Sequence, residues 1–222
     1  MICHKFSIDV LIASESKLDD TISDNLIQIN GFHEPIRHDR NRNGGGVVIY
    51  IASHLPFKHV TELQSKNFEH IWVDIFVNGR KYCINAMYRP PNETAQDHAN
   101  FTETSSEILD KISNYPAYQH LLTGDLNFGN IYCKEPILNP KPLDHEACDL
   151  FSSNGMTQII DIPTRFSQTC ASLIDLIYVS KIDDVMAHGT INGPADHGLR
   201  IGLDNYKRIE TIKYLMKPIL NI

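Results

Sequence analysis

The chain has 222 residues, 42% hydrophobic and 21% charged, which is typical of a globular domain. Its net charge of −7 argues against nucleic-acid binding by general electrostatics, so such binding would need a local basic surface or a metal ion. No apolar run approaches the ~20 residues of a membrane helix, and Asp9 interrupts the apolar N-terminal stretch, so we predict neither a membrane span nor a signal peptide.

The cysteines and histidines exclude two common classes of site. The five cysteines form no CxxC pair, which argues against a zinc knuckle or a disulfide framework and favours a reducing, intracellular location. There are eleven histidines but no HExxH motif, so a zinc hydrolase is a weak alternative.

Strands dominate the predicted N-terminal half. The stretch IDVLIASE is a strand that ends at Glu15, and DDTISDNLIQI is a short helix with acidic residues in its first turn. A glycine-rich turn then enters the strand VVIYIA. HIWVDIFV and KYCINAMY follow as two strands, and the Asn-Gly between them predicts a tight hairpin.

Helices and strands alternate in the second half. A partial apolar stripe predicts a helix from Thr94 to about Ser113, followed by the strand AYQHLLTGDLN. LDHEACDLFSSNG is helical, and LIDLIYVS and HGLRIGL are late strands. The order predicts one α/β domain with mixed sheets over residues 1–205, followed by a charged, weakly patterned tail over residues 206–222.

Polar side chains recur where the apolar strands end, which is where α/β proteins place ligand sites. The positions concerned are Glu15, Tyr88, Arg89, Asp125, Asn127, Asp175, Asp196 and His197. Because alternate strand residues share a face, Asp125 and Asn127 are expected to point into one pocket. Carboxylates such as Glu15 and Asp125 suit Mg²⁺, and a histidine beside an acid suits proton transfer near neutral pH.

Each of these signals has a simpler structural explanation. Gly-Asp-x-Asn is a common turn composition, a single Glu after a strand is usually a solvated loop residue, and Asp-His is an ordinary dipeptide. Asp175 is harder to explain this way, because a carboxylate in an apolar run is costly unless it has a partner. The joint order of the motifs therefore matters more than any one of them.

That order resembles a known family. The motifs SESKLD, GGGVVIYI, YRPPN, GDLNF, PTR, SLIDLIYVS and ADH are similar to those of the endonuclease/exonuclease/phosphatase superfamily. Within it, they look most like the apurinic-type endonuclease domain of non-LTR (LINE-type) retrotransposon polyproteins. The resemblance covers roughly residues 8–203 and implies a four-layer α/β sandwich, in which two mixed sheets are flanked by helices.

The resemblance also implies roles for individual residues. Glu15 would bind Mg²⁺, with Mn²⁺ as the alternative ion, and Asp196 would lie near the metal. Tyr88 would contact the scissile phosphate, Asp125 would position or activate water, and Asn127 would hold a phosphate oxygen. Asp175 would orient His197, which would act as the base or as the charged partner of the phosphate. Arg89 and Arg165 are candidate substrate-binding residues, and the arginines of RHDRNRN offer further positive charge unless they belong to a solvated loop.

The N-terminus departs from the family pattern. Family members carry a strand ending in an Asn-containing motif well upstream of the first metal-binding Glu, whereas 14 residues precede Glu15 and MICHKFS contains no Asn. We therefore expect this strand to be missing, the neighbouring strand edge to be exposed and prone to aggregate, and DNA cleavage to be poor.

The leading hypothesis is a Mg²⁺-dependent endonuclease that nicks DNA and has access to the nucleus if it is active. Two alternatives stay open: a non-catalytic remnant of a retroelement, and an enzyme of the same superfamily that acts on a small phosphoester such as a phosphoinositide.

Overall fold

A computed structural model describes residues 8–91, 94–128, 142–161, 163–166, 171–191, 199–204 and 212–214. Two six-stranded sheets form its centre. In spatial order the first sheet contains Val185–Ile191 (β12), Leu199–Asp204 (β13), Ile212–Tyr214 (β14), Val10–Ser14 (β1), Val47–Ile51 (β3) and Ile36–His38 (β2). The second contains Phe57–His59 (β4), Glu69–Val77 (β5), Arg80–Tyr88 (β6), Gln119–Asp125 (β7), Asp175–Val179 (β11) and Thr157–Gln158 (β8).

The remaining described elements are a small hairpin, three α-helices and two short 3₁₀ helices, Thr61–Leu63 and Ile182–Asp184. Arg165–Phe166 (β9) pairs with Ala171–Ser172 (β10), and the α-helices are Asp24–Ile27 (α1), Ala95–Ser113 (α2) and Pro142–Ser153 (α3). Among the described residues, no helix combines the length and apolar character needed to cross a membrane.

The two sheets pack face to face, and alternate apolar residues of their strands fill the layer between them. Ile12 and Ile49 of the first sheet lie in the same buried cluster as Ile71 and Val73 of the second. The opposite face of the first sheet is also buried, in a smaller cluster where Leu11 and Tyr50 are joined by Ile29 and Phe32. Sheet residues buried on both faces explain why β1 and β3 are nearly continuous runs of apolar residues.

The long helix α2 covers the outer face of the second sheet. Its apolar stripe of Phe101, Ile108, Leu109 and Ile112 is buried in the main cluster, as the periodicity predicts. Thr94 begins the helix with a capping box, in which its side chain and that of Asp97 each accept from the other's backbone N–H. The layers are those of the predicted α/β sandwich.

The hairpin between β5 and β6 is confirmed, and its turn has the predicted chemistry. Asn78 and Gly79 both have positive φ, at 49° and 79°. This left-handed pair matches the right-handed twist of the flanking strands, so a strong local signal was sufficient to place it.

The predicted helix DDTISDNLIQI is only partly formed, because other groups use its backbone. Helix α1 is limited to Asp24–Ile27. Thr21 N–H donates to the Asp19 side chain, and the Arg37 guanidinium donates to the carbonyls of Asp19 and Ile22. These bonds hold the segment in turns instead of a continuous helix.

The strand edge that we expected to be exposed is covered in part. On the side of β1 away from β3, β14 pairs in parallel, with Val10 opposite Ile212. This single pair covers the edge at Val10, because residues 212–214 of the predicted tail form a strand of the first sheet, while Leu11–Ser14 have no partner strand on this side among the described residues. The domain boundary at residue 205 stays a prediction.

Candidate active site

A glycine-rich loop holds Glu15 at the end of β1. Ser16 and Lys17 donate their backbone N–H groups to the carbonyls of Gly46 and Gly45, at 3.2 and 3.1 Å. Glu15 has φ 52°, in the left-handed region that residues other than glycine and asparagine rarely adopt. Gly46 has φ 81°, which favours glycine, and a Cβ there would lie 2.6 Å from Ser16 Oγ, so a larger residue would disturb the residue that follows Glu15. Backbone strain at a surface carboxylate is a recognised feature of functional sites.

Tyr88 joins Glu15 to the second sheet. Tyr88 ends β6, is 3% exposed, and donates its hydroxyl to Glu15 Oε1 at 3.0 Å. Burial raises the pKa of Tyr88, and the carboxylates of Glu15 and Asp125 raise this pKa further. The phenol therefore stays protonated and acts as a hydrogen-bond donor at every physiological pH.

Asp125 lies beside Tyr88 at the end of β7. The two residues are Cα partners in the parallel β6–β7 ladder, which continues where Arg89 N–H donates to Asp125 O at 2.9 Å. The preceding Gly124 is required by contact: a Cβ there would lie 1.8 Å from Met87 O. The glycine of GDLN thus allows β6 and β7 to pair up to their last residues, Tyr88 and Asp125, which lie side by side.

The amide of GDLN reaches the site through a turn. Strand β7 ends at Asp125, and Asn127 has φ 47°, so the strand alternation that we expected to place both side chains does not extend to Asn127. Instead, Asn127 N–H donates to Asp125 Oδ1 at 3.3 Å, and its Nδ2 donates to Arg89 O at 2.8 Å. Asn is well suited to this position, because it tolerates the left-handed region better than most residues.

Asp175 lies next to Asp125 and is fully buried, as its apolar surroundings predict. The two are Cα partners in the antiparallel β7–β11 ladder, and Asp175 is 0% exposed. Thr164, in the PTR motif, accepts the backbone N–H groups of Ile174 and Asp175 on its Oγ1, at 3.2 and 3.1 Å. Its hydroxyl therefore fixes the start of β11.

Ser14 is a site residue that the sequence did not identify. It is 2% exposed and bridges the two sheets, because its Oγ donates to Met87 O at 3.5 Å and accepts from Asp125 N at 3.3 Å. A serine at the end of an apolar strand carries no signal for this role, because both partners come from the other sheet.

The predicted site residues thus fall into three groups. Glu15, Tyr88, Arg89, Asp125, Asn127 and Asp175 come together at one edge of the sandwich. Arg165 is exposed in the β9–β10 hairpin, next to Thr164. Asp196 and His197 lie outside the described residues, and so does the expected Asp175–His197 hydrogen bond.

The arginines of RHDRNRN divide between a part-buried position, Arg37, and an exposed loop that carries Arg40 and Arg42. Arg37 donates to both Asp24 and Asp39. Arg40 pairs with Glu69, and Arg42 with Asp19, each at 3.4 Å. Their charge is therefore shared with neighbouring carboxylates. Arg40 lies nearest to the site, because Glu69 is the Cα partner of Tyr88.

The donors at the site fit a hard divalent cation. Within the described part of the chain, no three His, Cys, Asp or Glu side chains lie close enough together to hold a metal ion. Mg²⁺, however, is usually held by only one or two protein carboxylates, with waters and substrate oxygens completing its shell. Glu15 accepts from the Tyr88 hydroxyl and Asp125 is the Cα partner of Tyr88, so both carboxylates adjoin one residue.

The sequence matches no protein-family profile and no curated protein. Solved structures do resemble the fold. The endonuclease domain of TRAS1, a telomere-specific non-LTR retrotransposon, is similar with a TM-score of 0.72 and 12% identity, covering 93% of this chain and 90% of that one. An AP endonuclease from Archaeoglobus fulgidus gives 0.66 and 13%, covering 92% of each chain. The 3′ phosphatase NExo from Neisseria, bound to a product DNA hairpin, gives 0.61 and 16%, covering 89% of each. The chain therefore has the fold of the endonuclease/exonuclease/phosphatase superfamily.

Proposed function

We propose that this chain is a Mg²⁺-dependent phosphodiesterase that nicks DNA. The observation that carries the proposal is the 3.0 Å hydrogen bond from Tyr88 to Glu15, because it joins a strand end of one sheet to a strand end of the other. Asp125, Asn127 and Asp175 gather at the same edge. Buried polar groups of this kind, at the ends of strands, are the usual material of an active site.

Each residue has a role that its position supports. Tyr88 is a neutral donor whose single O–H donates to Glu15 in the free chain, and this O–H would have to turn to a non-bridging phosphate oxygen when substrate binds. Asp125 accepts from Asn127 N–H on one oxygen, which holds the carboxylate in place and suits it to orient an attacking water. Asn127 is held by Arg89 O through its Nδ2, so its side-chain orientation is fixed before substrate arrives. Such preorganisation accounts for much of catalysis in hydrolytic sites.

The metal and the proton carrier complete the proposal. Glu15 and Asp125 would hold the ion, with Asp196 near it, and a bound Mg²⁺ supplies charge stabilisation for the phosphate and the leaving oxygen. Asp175 would orient His197, which would carry a proton during hydrolysis; an oriented histidine contributes about 10²–10⁴-fold to such reactions.

DNA is the substrate that we favour over a small phosphoester. The named neighbours include a retrotransposon endonuclease, an AP endonuclease and a phosphatase bound to a DNA hairpin. The exposed Arg165 beside the site, and the half-exposed Arg40, offer contacts for a nucleic-acid backbone despite the net charge of −7.

A comparison of substrates tests the proposal. Supercoiled plasmid, plasmid containing abasic sites, and a soluble phosphoinositide are incubated with the chain in Mg²⁺ or in EDTA. We expect Mg²⁺-dependent nicking of DNA and no release of phosphate from the phosphoinositide. Phosphate release without nicking would favour the small-phosphoester alternative, and no reaction with any substrate would favour the non-catalytic remnant.

A further inference from the structure

Arg89 contacts four consecutive residues of the turn that follows β7. Its backbone N–H donates to Asp125 O at 2.9 Å, and its carbonyl accepts from Asn127 Nδ2 at 2.8 Å. Its Nη1 donates to Leu126 O at 3.2 Å, and its guanidinium carbon lies 4.8 Å from the centre of the Phe128 ring. One side chain and its own peptide groups therefore hold the whole segment from Asp125 to Phe128.

The guanidinium itself lies inside the protein. Arg89 is 5% exposed, and its guanidinium carbon lies 5.6 Å from the centre of the Phe101 ring on α2. Its Nη2 lies 3.3 Å from Nδ1 of His98, which is also 5% exposed. Because arginine only donates, His98 Nδ1 must accept, and the proton of a neutral His98 is on Nε2. Arg89 thus connects the turn to α2.

This environment does not suit the substrate contact predicted for Arg89 from the sequence. A phosphate would have to reach a guanidinium covered by two aromatic rings and a histidine. The turn, by contrast, needs support, because Asn127 has φ 47°, in the left-handed region that is unfavourable for L-residues.

We infer that Arg89 is a positioning residue: its buried guanidinium fixes the 125–128 turn and so sets where Asp125 and Asn127 present their side chains. The inference rests on the proposed function for its catalytic consequence, although the structural part stands apart from it. Geometry errors near 1 Å can lower rates by about 10²-fold, so loss of this support should appear in kcat.

Two substitutions separate support from charge. Arg89→Lys keeps the positive charge but loses the planar guanidinium that donates to Leu126 O and lies against the rings of Phe101 and Phe128. Arg89→Met keeps an unbranched apolar stem and loses the charge. Arg80→Lys and Arg80→Met are the matched controls, since Arg80 begins β6, at the end of the strand opposite Tyr88, and its half-exposed side chain pairs with Asp184.

The kinetic test compares kcat, KM and salt dependence of plasmid nicking. For both Arg89 variants we expect kcat to fall at least tenfold, while KM stays within about twofold and the slope of log KM against log salt is unchanged. A direct phosphate contact would instead raise KM and lower that slope by about one, and this result would overturn the inference. The Arg80 controls should match the wild type.

Hydrogen exchange tests the inference without requiring activity. In Arg89→Lys we expect the amides of Leu126 and Asn127 to exchange at least tenfold faster, while those of β5 keep their wild-type rates. Unchanged exchange in the turn would overturn the inference, as would faster exchange spread evenly over the protein. A wild-type chain that cuts no DNA would refute the proposed function, while the exchange data would still decide the role of Arg89.

Discussion

Gly124→Ala should separate the packing of the site from the chemistry of its side chains. The added Cβ would lie 1.8 Å from Met87 O, against the roughly 3.4 Å of an ordinary contact, so β6 and β7 must separate locally by more than 1 Å. The nearest atom belongs to the backbone and cannot rotate away. We expect the free energy of unfolding to fall by about 2–4 kcal/mol, at or above the upper end of the cost of a typical overpacking substitution.

The same shift should reach the site, because Gly124 lies directly before Asp125 and Met87 directly before Tyr88. A displacement near 1 Å predicts a loss of nicking of about 10²-fold, measured under conditions where the variant is fully folded. Gly44→Ala is the control, since no atom lies within 4 Å of its added Cβ and its φ is ordinary. Urea unfolding and plasmid nicking at several temperatures give both quantities. Equal stability and activity in the two variants would refute the reasoning.

Three further perturbations have defined outcomes. Tyr88→Phe removes the donor to Glu15. We expect the rate of nicking to fall by about tenfold or more, while the free energy of unfolding stays within about 1–2 kcal/mol of the wild-type value. Wild-type activity would exclude a role for the hydroxyl. Burial lowers the pKa of His70 to about 4, below the ordinary 6.5. The unfolded chain therefore binds a proton first as pH falls, and stability should drop by up to about 3 kcal/mol between pH 6.5 and pH 4. Urea unfolding of His70→Gln should show a flatter pH dependence over that range, and an unchanged slope would contradict this assignment. Lys81→Met leaves the buried Asp74 without its 2.7 Å ion pair. Chemical denaturation should show that the free energy of unfolding falls by about 2–3 kcal/mol, which is low for a buried pair because Lys81 keeps some contact with water. An unchanged free energy of unfolding would mean that another group compensates the charge of Asp74.

Local patterns were enough to predict much of the fold. The Asn78–Gly79 turn, the apolar stripe of α2 and the strand before Asp125 are each specified by neighbouring residues. The short strand β14 was not predicted, because it is only three residues long and has meaning only as a partner of β1 and β13.

The candidate site was predictable in its composition and less so in its geometry. Acids and amides at strand ends mark it, but the Tyr88–Glu15 hydrogen bond joins residues 73 positions apart. The role of Ser14, between the two sheets, depends on face-to-face packing that no local pattern reports. For Arg89, the sequence did not give the exposure of the side chain, because a YRPP motif is compatible with a guanidinium that faces water and with one that lies against Phe101.

The most direct test of the account is the nicking of supercoiled plasmid by wild type, Glu15→Gln and Asp125→Asn, each at a matched folded fraction. These near-isosteric substitutions remove one negative charge each and leave the shape of the site nearly unchanged. The account predicts nicking by wild type that requires Mg²⁺ and is abolished by EDTA, with a loss of at least about 10²-fold in each variant. Wild-type rates in both variants would contradict the claim that this edge of the sandwich is a metal-dependent active site.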